Sequence, residues 1–200
     1  MLDPWPDTPR VTGSPQTRSD GIAAWAKGVQ KSREAEERRP PTPRRIHHSR
    51  RPRIAGYSGA MAEESTTPDL AELARASLEA VNRRDFDALM SYAAPDFVYD
   101  TSPSGFGVYE GEAAIRDFIT GYWDAFEELS FELEEFVDLG NGVTFSVNRQ
   151  HARPVGSSAH IHAREAHITE WTKGMAVRVT VYNDIEEARA AAVRLAESRE

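Results

Sequence analysis

Residues 81–119 constrain the fold more than any other stretch, because they read as helix, short helix, strand, loop and helix, with start and stop signals between them. Asn82 closes the first apolar-periodic segment, Asp85 stands where it can cap the next, and Pro95 follows as a stop. Phe97-Val98-Tyr99-Asp100 then reads as an apolar strand ending in a carboxylate. A Gly/Pro-rich loop leads on to Gly111-Glu112-Ala113-Ala114-Ile115, which opens a third helix. A strand held between amphipathic helices buries a face against them, so this order predicts a sheet-and-helix cone with a pocket.

The flanks extend the pattern. Thr67-Pro68-Asp69 combines a capping hydroxyl, a first-turn proline and a negative charge at the positive end of a helix dipole. From there Leu70, Leu73, Ala74, Ser77, Leu78 and Val81 recur at three- and four-residue spacing and define one inward face. The short second helix turns Phe86, Leu89 and Met90 inward. The third carries Ile115, Phe118, Ile119, Tyr122 and Phe126 as one stripe and is predicted to end near Leu129. Beyond it the sequence alternates as sheet over 131–138, 143–153, 159–172 and 175–182, with tight turns at Gly140-Asn141-Gly142 and Lys173-Gly174. Asp184 caps a last helix through Ala188, Ala192 and Leu195. The predicted class is α+β: a cone of curved antiparallel sheet wrapped around three N-terminal helices, plus a C-terminal helix.

Charge divides the chain in two. Residues 1–60 hold 12 Lys+Arg against 6 Asp+Glu, net +6, and residues 61–200 hold 12 against 26, net −14. Eight of the 12 prolines fall in the first part, which has few large apolar residues to bury and reads as a disordered, basic Arg/Pro-rich extension. Met61 is expected to be the true start of the protein, with 61–200 as the domain; the rival reading is a basic tail for an acidic partner or nucleic acid. A domain this acidic repels phosphate backbones and anionic lipid, so neither nucleic acid nor membrane is an expected partner of it. Cysteine is absent, which excludes disulfides and thiolate metal sites. No run reaches the ~18 apolar residues of a membrane helix, and the first residues lack the apolar core of a secretory signal. The expected location is cytoplasmic.

Asp100 is the first candidate for chemistry. A carboxylate at a strand end facing an apolar pocket loses solvation and becomes a stronger base. An Asp before Thr101-Ser102-Pro103-Ser104 is also what a turn uses to bind its own backbone, and the residues leave both readings open. His160 and His162 stand two apart on a predicted strand, on the face that Arg164 and Ala166 share. If that face is the pocket, His162 exchanges protons with Asp100 or a substrate; otherwise the pair is a hydrated strand end. By this register His167 faces outward beside Glu165 and His151 lies elsewhere, so no third metal ligand is evident, and no metal or cofactor is expected. Tyr122, Trp123 and Phe126, with Phe136, Phe145, Val147, Val179 and Val181, line either a cavity for a ring-bearing ligand or simply a core. Glu127, Glu128, Glu132, Glu134 and Glu135 read as solvated acidic surface.

The 81–119 block, together with Val181-Tyr182-Asn183-Asp184-Ile185-Glu186-Glu187-Ala188, resembles the SnoaL-like branch of the nuclear-transport-factor-2-like superfamily, which includes ketosteroid isomerases, limonene epoxide hydrolases and polyketide cyclases. The resemblance implies the cone strongly and a reaction weakly. It also implies a homodimer paired through the outer sheet face. On the isomerase pattern Asp100 matches the general base and Tyr92 is a further retained group. The pattern's other donors fall on Ser77, Ile119 and Ala166, and Asn183 replaces a pocket aromatic. On the epoxide hydrolase pattern Arg164 matches the arginine, while its two carboxylates fall on Ala166 and Val181. Neither activity is therefore expected. A buried Arg164 needs another anion, either Asp100 or a substrate carboxylate, unless it sits in a solvated pocket mouth.

The function expected from the sequence is a small-molecule pocket with cofactor-free acid/base chemistry of isomerase, cyclase or hydrolase type. Asp100, His162 and Arg164 would be catalytic, and Tyr92, Tyr122, Trp123, Phe126, Phe145, Val179, Val181 and Asn183 would bind a small apolar or carboxylated metabolite. The alternative is a non-catalytic ligand-binding or dimerisation module.

Overall fold

The structure is a computed structural model that describes residues 69–199. The basic extension, Met61 and the Thr67-Pro68 pair lie outside the described residues. The chain runs α1 (Leu70–Asn82), α2 (Phe86–Met90), β1 (Ala93–Asp100), a 3-10 turn (Ser102–Ser104), β2 (Val108–Glu110), α3 (Glu112–Asp124), β3 (Phe126–Asp138), β4 (Val143–Pro154), β5 (Ile161–Thr172), β6 (Met175–Tyr182) and α4 (Ile185–Ser198). Three of the helices start as acidic N-caps dictate. Asp69 accepts from Ala71 N–H at 2.8 Å, Asp85 from Ala88 N–H at 3.0 Å and Asp184 from Glu187 N–H at 2.9 Å. The cap of α1 is thus Asp69.

The six strands form one sheet in the order β2-β1-β6-β5-β4-β3. Every neighbouring pair is antiparallel except β1 and β6, which run parallel with Tyr99 beside Val179 and Asp100 beside Thr180. Pro95 does not stop a helix; it lies inside β1, where the register shifts between Ala93 and Val98, as expected of a residue that cannot donate to a ladder. The third helix ends at Asp124, earlier than its stripe predicts, because Phe126 and the residues after it pair with β4. Val155 N–H donates to Ala125 O at 3.0 Å, and Arg153 meets both Glu127 and Glu128, which hold this segment extended.

Each face of the sheet has its own cover. Helices α1, α2 and α3 cover the concave side and pack around Phe86, Phe97, Ile115, Phe118 and Trp123. Helix α4 lies on the convex side, where Ala188, Ala192 and Ala196 make a small-residue stripe that lets it settle on Val143, Phe145, Val147, Ala166 and Ile168. Phe145 and Val147 are completely buried there, each contributing about 2 kcal/mol. Arg189 of α4 grips Glu135 of β3 with two 2.9 Å hydrogen bonds, and its guanidinium lies over the Phe145 ring. Among the described residues no helix is long and apolar enough to cross a membrane.

The turn between β3 and β4 is the tightest point of this arrangement. Trp171 N–H donates to Gly142 O at 2.7 Å, and a Cβ on Gly142, whose φ is +71°, would lie 2.5 Å from Trp171 O. Gly140 also has positive φ, +81°, but open space around it. Gly142→Ala should therefore cost about 2 kcal/mol or more, a fall of roughly 5–10 °C in melting temperature, and Gly140→Ala about 1 kcal/mol. Thermal and urea melts of the two variants check this; equal losses would show that the contact with Trp171 is not felt.

Candidate functional site

The helices do not fill the cone. A cavity of about 180 Å³ remains between α1, α2, α3 and the concave face of the sheet. The inward face of α1 looks onto it through Ala74, Ser77, Leu78 and Val81, which explains why that face is apolar although only Ala80 of the helix is fully buried. Rings enclose much of the rest: Phe97 and Tyr99 from β1, Phe106 from the following loop, Phe118 and Tyr122 from α3, and Trp171 from β5. They touch one another around Phe118, which stacks on Tyr109 at 4.2 Å and meets Phe106 edge-on at 5.7 Å.

One patch of this wall is polar. Residues two apart on a strand share a face, so Glu165 and His167 of β5 both turn inward, and His167 Nε2 lies 2.8 Å from Glu165 Oε1. Their side chains are only 13% and 20% exposed. Asn148 and Ser146, opposite them on β4, complete the patch together with Thr169 and Asn183. Burial pushes the Tyr99 and Tyr122 hydroxyls well above the usual phenol range, and the charge of Glu165 adds to the effect. Both tyrosines are protonated at neutral pH, as an ordinary phenol is, and each hydroxyl carries an O–H donor. Gln150, completely buried behind α3, donates Nε2–H to Tyr122 Oη at 2.8 Å and so occupies a lone pair of that hydroxyl.

The three residues expected to be catalytic do not converge here. Asp100 pairs with Thr180 on the convex side of the sheet. Its Oδ1 accepts from Ser102 N–H at 3.0 Å and Ser102 Oγ–H at 2.6 Å, and its Oδ2 meets Arg178 at 2.5 Å. The turn-capping reading of this residue is the one that the geometry fits. Arg164 is also convex, with Nε 2.5 Å from Glu134 Oε2, a carboxylate that it shares with Arg149. His162 lies across from His151 on that same side, Nδ1 to Nδ1 2.8 Å, so His151 belongs beside it and not elsewhere.

The physical reason is parity. Even-numbered residues of β5 face outward, so Glu165 and His167, expected to face solvent, are the inward pair. Among the residues expected to bind ligand, Tyr92, Tyr122, Trp123, Val179, Val181 and Asn183 do line the cavity. Phe126 packs instead on Ala152 at the far end of β3 and β4, and Phe145 lies beneath α4. Among the described residues no group of three or more His, Asp or Glu is placed to hold a metal.

A curved mixed sheet closed by helices on one face and a C-terminal helix on the other is the α+β cone of the nuclear-transport-factor-2-like fold. The model of the SnoaL-like domain matches residues 74–179, more than half of the sequence, and the chain belongs to that family. No curated protein matches it. Among solved structures it resembles TerC co-crystallised with polyporic acid (16% identity, TM-score 0.51, covering 62% of this chain and 97% of that one). It also resembles an NTF2-like protein of unknown function from Burkholderia pseudomallei (22%, 0.51, 62% and 95%). A third is a ketosteroid isomerase-like fold from Catenulispora acidiphila in complex with trimethylamine (15%, 0.52, 64% and 94%). At these identities the likeness shows the fold.

Asp100 has a measurable role as an anchor. Burial alone would raise its carboxyl, but the Ser102 hydrogen bonds and the Arg178 guanidinium outweigh this and hold it below the usual carboxylate range. A carboxylate depressed in the folded state stabilises above its unfolded pKa of about 3.9, and the contribution is lost as pH falls through the lower folded value. Asp100→Asn should therefore cost about 1–2 kcal/mol at neutral pH, and the gap from wild type should close in acid below about pH 4. Urea melts across pH measure it; a gap constant with pH would mean that the charge of Asp100 plays no part.

Proposed function

We propose that this protein binds a small, largely apolar ligand in the cone cavity and moves a proton on it without a cofactor, with Glu165 and His167 as the acid/base pair. The observation that carries the reading is the 2.8 Å contact between these two side chains inside an otherwise aromatic enclosure. A carboxylate and an imidazole in contact hold one proton between Oε1 and Nε2 and can give it to a ligand or take one from it. Tyr99 and Tyr122, protonated phenols in the cavity wall, would donate to an oxygen on which negative charge develops. Together these groups suit proton transfer next to a carbonyl, the step shared by isomerisation and cyclisation. The ligands in the related structures, polyporic acid in one and trimethylamine in another, differ in charge, so this chain's own wall is the better guide to its substrate.

One observation favours a non-catalytic binding role: Asp100 and Arg164, the residues that the resemblance matches to the isomerase base and the hydrolase arginine, both lie on the convex side, away from the cavity. In either role, pairing of two copies would use the convex stretch around Glu134, Arg149 and Arg164 that α4 leaves open.

Deuterium exchange beside the carbonyl of a small cyclic ketone, followed by NMR in D2O with the full chain, separates the two roles. Wild type should accelerate exchange, and Glu165→Gln and His167→Gln should each lower the rate by roughly 10²–10⁴-fold. Binding of the ketone with no exchange above the buffer rate would establish the non-catalytic role instead.

A further inference from the structure

Among the described residues the cavity wall contains neither arginine nor lysine, and its one carboxylate is Glu165. The arginine expected to receive a carboxylated ligand, Arg164, lies on the other side of the sheet and is engaged by Glu134. His167 meets Glu165 through Oε1, and no described contact occupies Oε2. The same cavity is lined by the rings of Tyr99, Phe118, Tyr122 and Trp171, and aromatic π clouds attract positive charge. An anion placed here would meet a carboxylate of like charge in a medium that screens poorly; a cation would meet a counter-ion and a set of negative ring faces. Net charge has the same sign, −8 for the full chain and −14 for residues 61–200, so the long-range field favours the approach of cations over anions. Size narrows the choice. A cavity of about 180 Å³ exceeds the roughly 150 Å³ that accommodates benzene by the room for a short substituent.

We propose that the cone selects a hydrophobic amine of about single-ring size in its protonated form, with Glu165 Oε2 as the counter-ion and the aromatic wall as its bed. The selection rests on the ligand-binding role proposed for the cavity and adds the charge and size of the ligand. It replaces the carboxylated metabolite expected from the sequence, whose arginine partner is not in the wall.

Calorimetric titration of the full chain at neutral pH with benzylamine, benzyl alcohol and benzoate tests the idea, since the three share a ring and differ in charge. Benzylamine should bind at least about tenfold more tightly than benzyl alcohol, and benzoate most weakly. In Glu165→Gln, with folding checked by circular dichroism, benzylamine should lose at least about tenfold and benzyl alcohol should change less than about twofold. Equal affinity of amine and alcohol, or benzoate ahead of both, would overturn the charge selection while leaving the cavity a ring binder. So would an amine preference that survives Glu165→Gln. Failure of all three rings to bind would overturn the ligand-binding role as well. The wild-type ranking decides the charge selection even if the variant does not fold.

Discussion

Burial of both faces of β4 and β5 is the constraint from which the rest of the molecule follows. Over the stretch from Val143 to Val147 and its partners Ala166 and Ile168, the convex side is covered by the alanine stripe of α4. The concave side of the same strands carries Ser146, Asn148, Glu165 and His167 into the cavity. Polar groups can be set inside the cone because the apolar burial that holds these strands is supplied largely from the other side. A sheet with one solvated face would have had to spend its concave side on packing alone.

This arrangement also decides how much of the molecule was legible in its sequence. Element order and type were, apart from the short β2 and the start of β3, because they depend on local chemistry: Asp85 and Asp184 cap helices, Asn141 and Lys173 occupy left-handed turn positions with glycines beside them, and Phe118 and Tyr122 repeat at helical spacing. The facing of β5 was not. Alternation shows that Ala166 and Ile168 share a side with Arg164 and His162, but apolar residues on that side mean a pocket only if the opposite side meets water. Here they mean α4. Six of the eight residues expected to bind ligand do line the cavity: Tyr122 and Trp123 on α3, Val179 and Val181 on β6, and Tyr92 and Asn183, which the resemblance supplied. Phe126 and Phe145 fail because one belongs to a strand and the other to the wrong face.

A signal for the inward pair did exist. Glu165 and His167 are the polar members of an alternating segment whose other parity, Ala166 and Ile168, is apolar; under a helix-covered convex face, that combination points polar groups at the interior. It becomes readable only with the second fact that the last helix carries Ala188, Ala192 and Ala196 on one side. Three small residues in register need a smooth apolar surface to lie on, and the outer faces of β4 and β5 supply it. The convex ion pairs of Arg149 and Arg164 with Glu134 begin where that cover ends.

The parallel pairing of β1 with β6 has a consequence for the order in which the molecule is made. Tyr99 finds its neighbour Val179 eighty residues further along the chain, whereas β3 through β6 close by local hairpins. Loop closure over that separation is slow compared with hairpin formation. On a ribosome, α1 to α3 and β1 emerge first, with the residues that will face the cavity still lacking the sheet that encloses them. The binding chamber is therefore a late product of folding, and until β6 arrives its aromatic wall is a surface that a chaperone, or another unfinished chain, can reach.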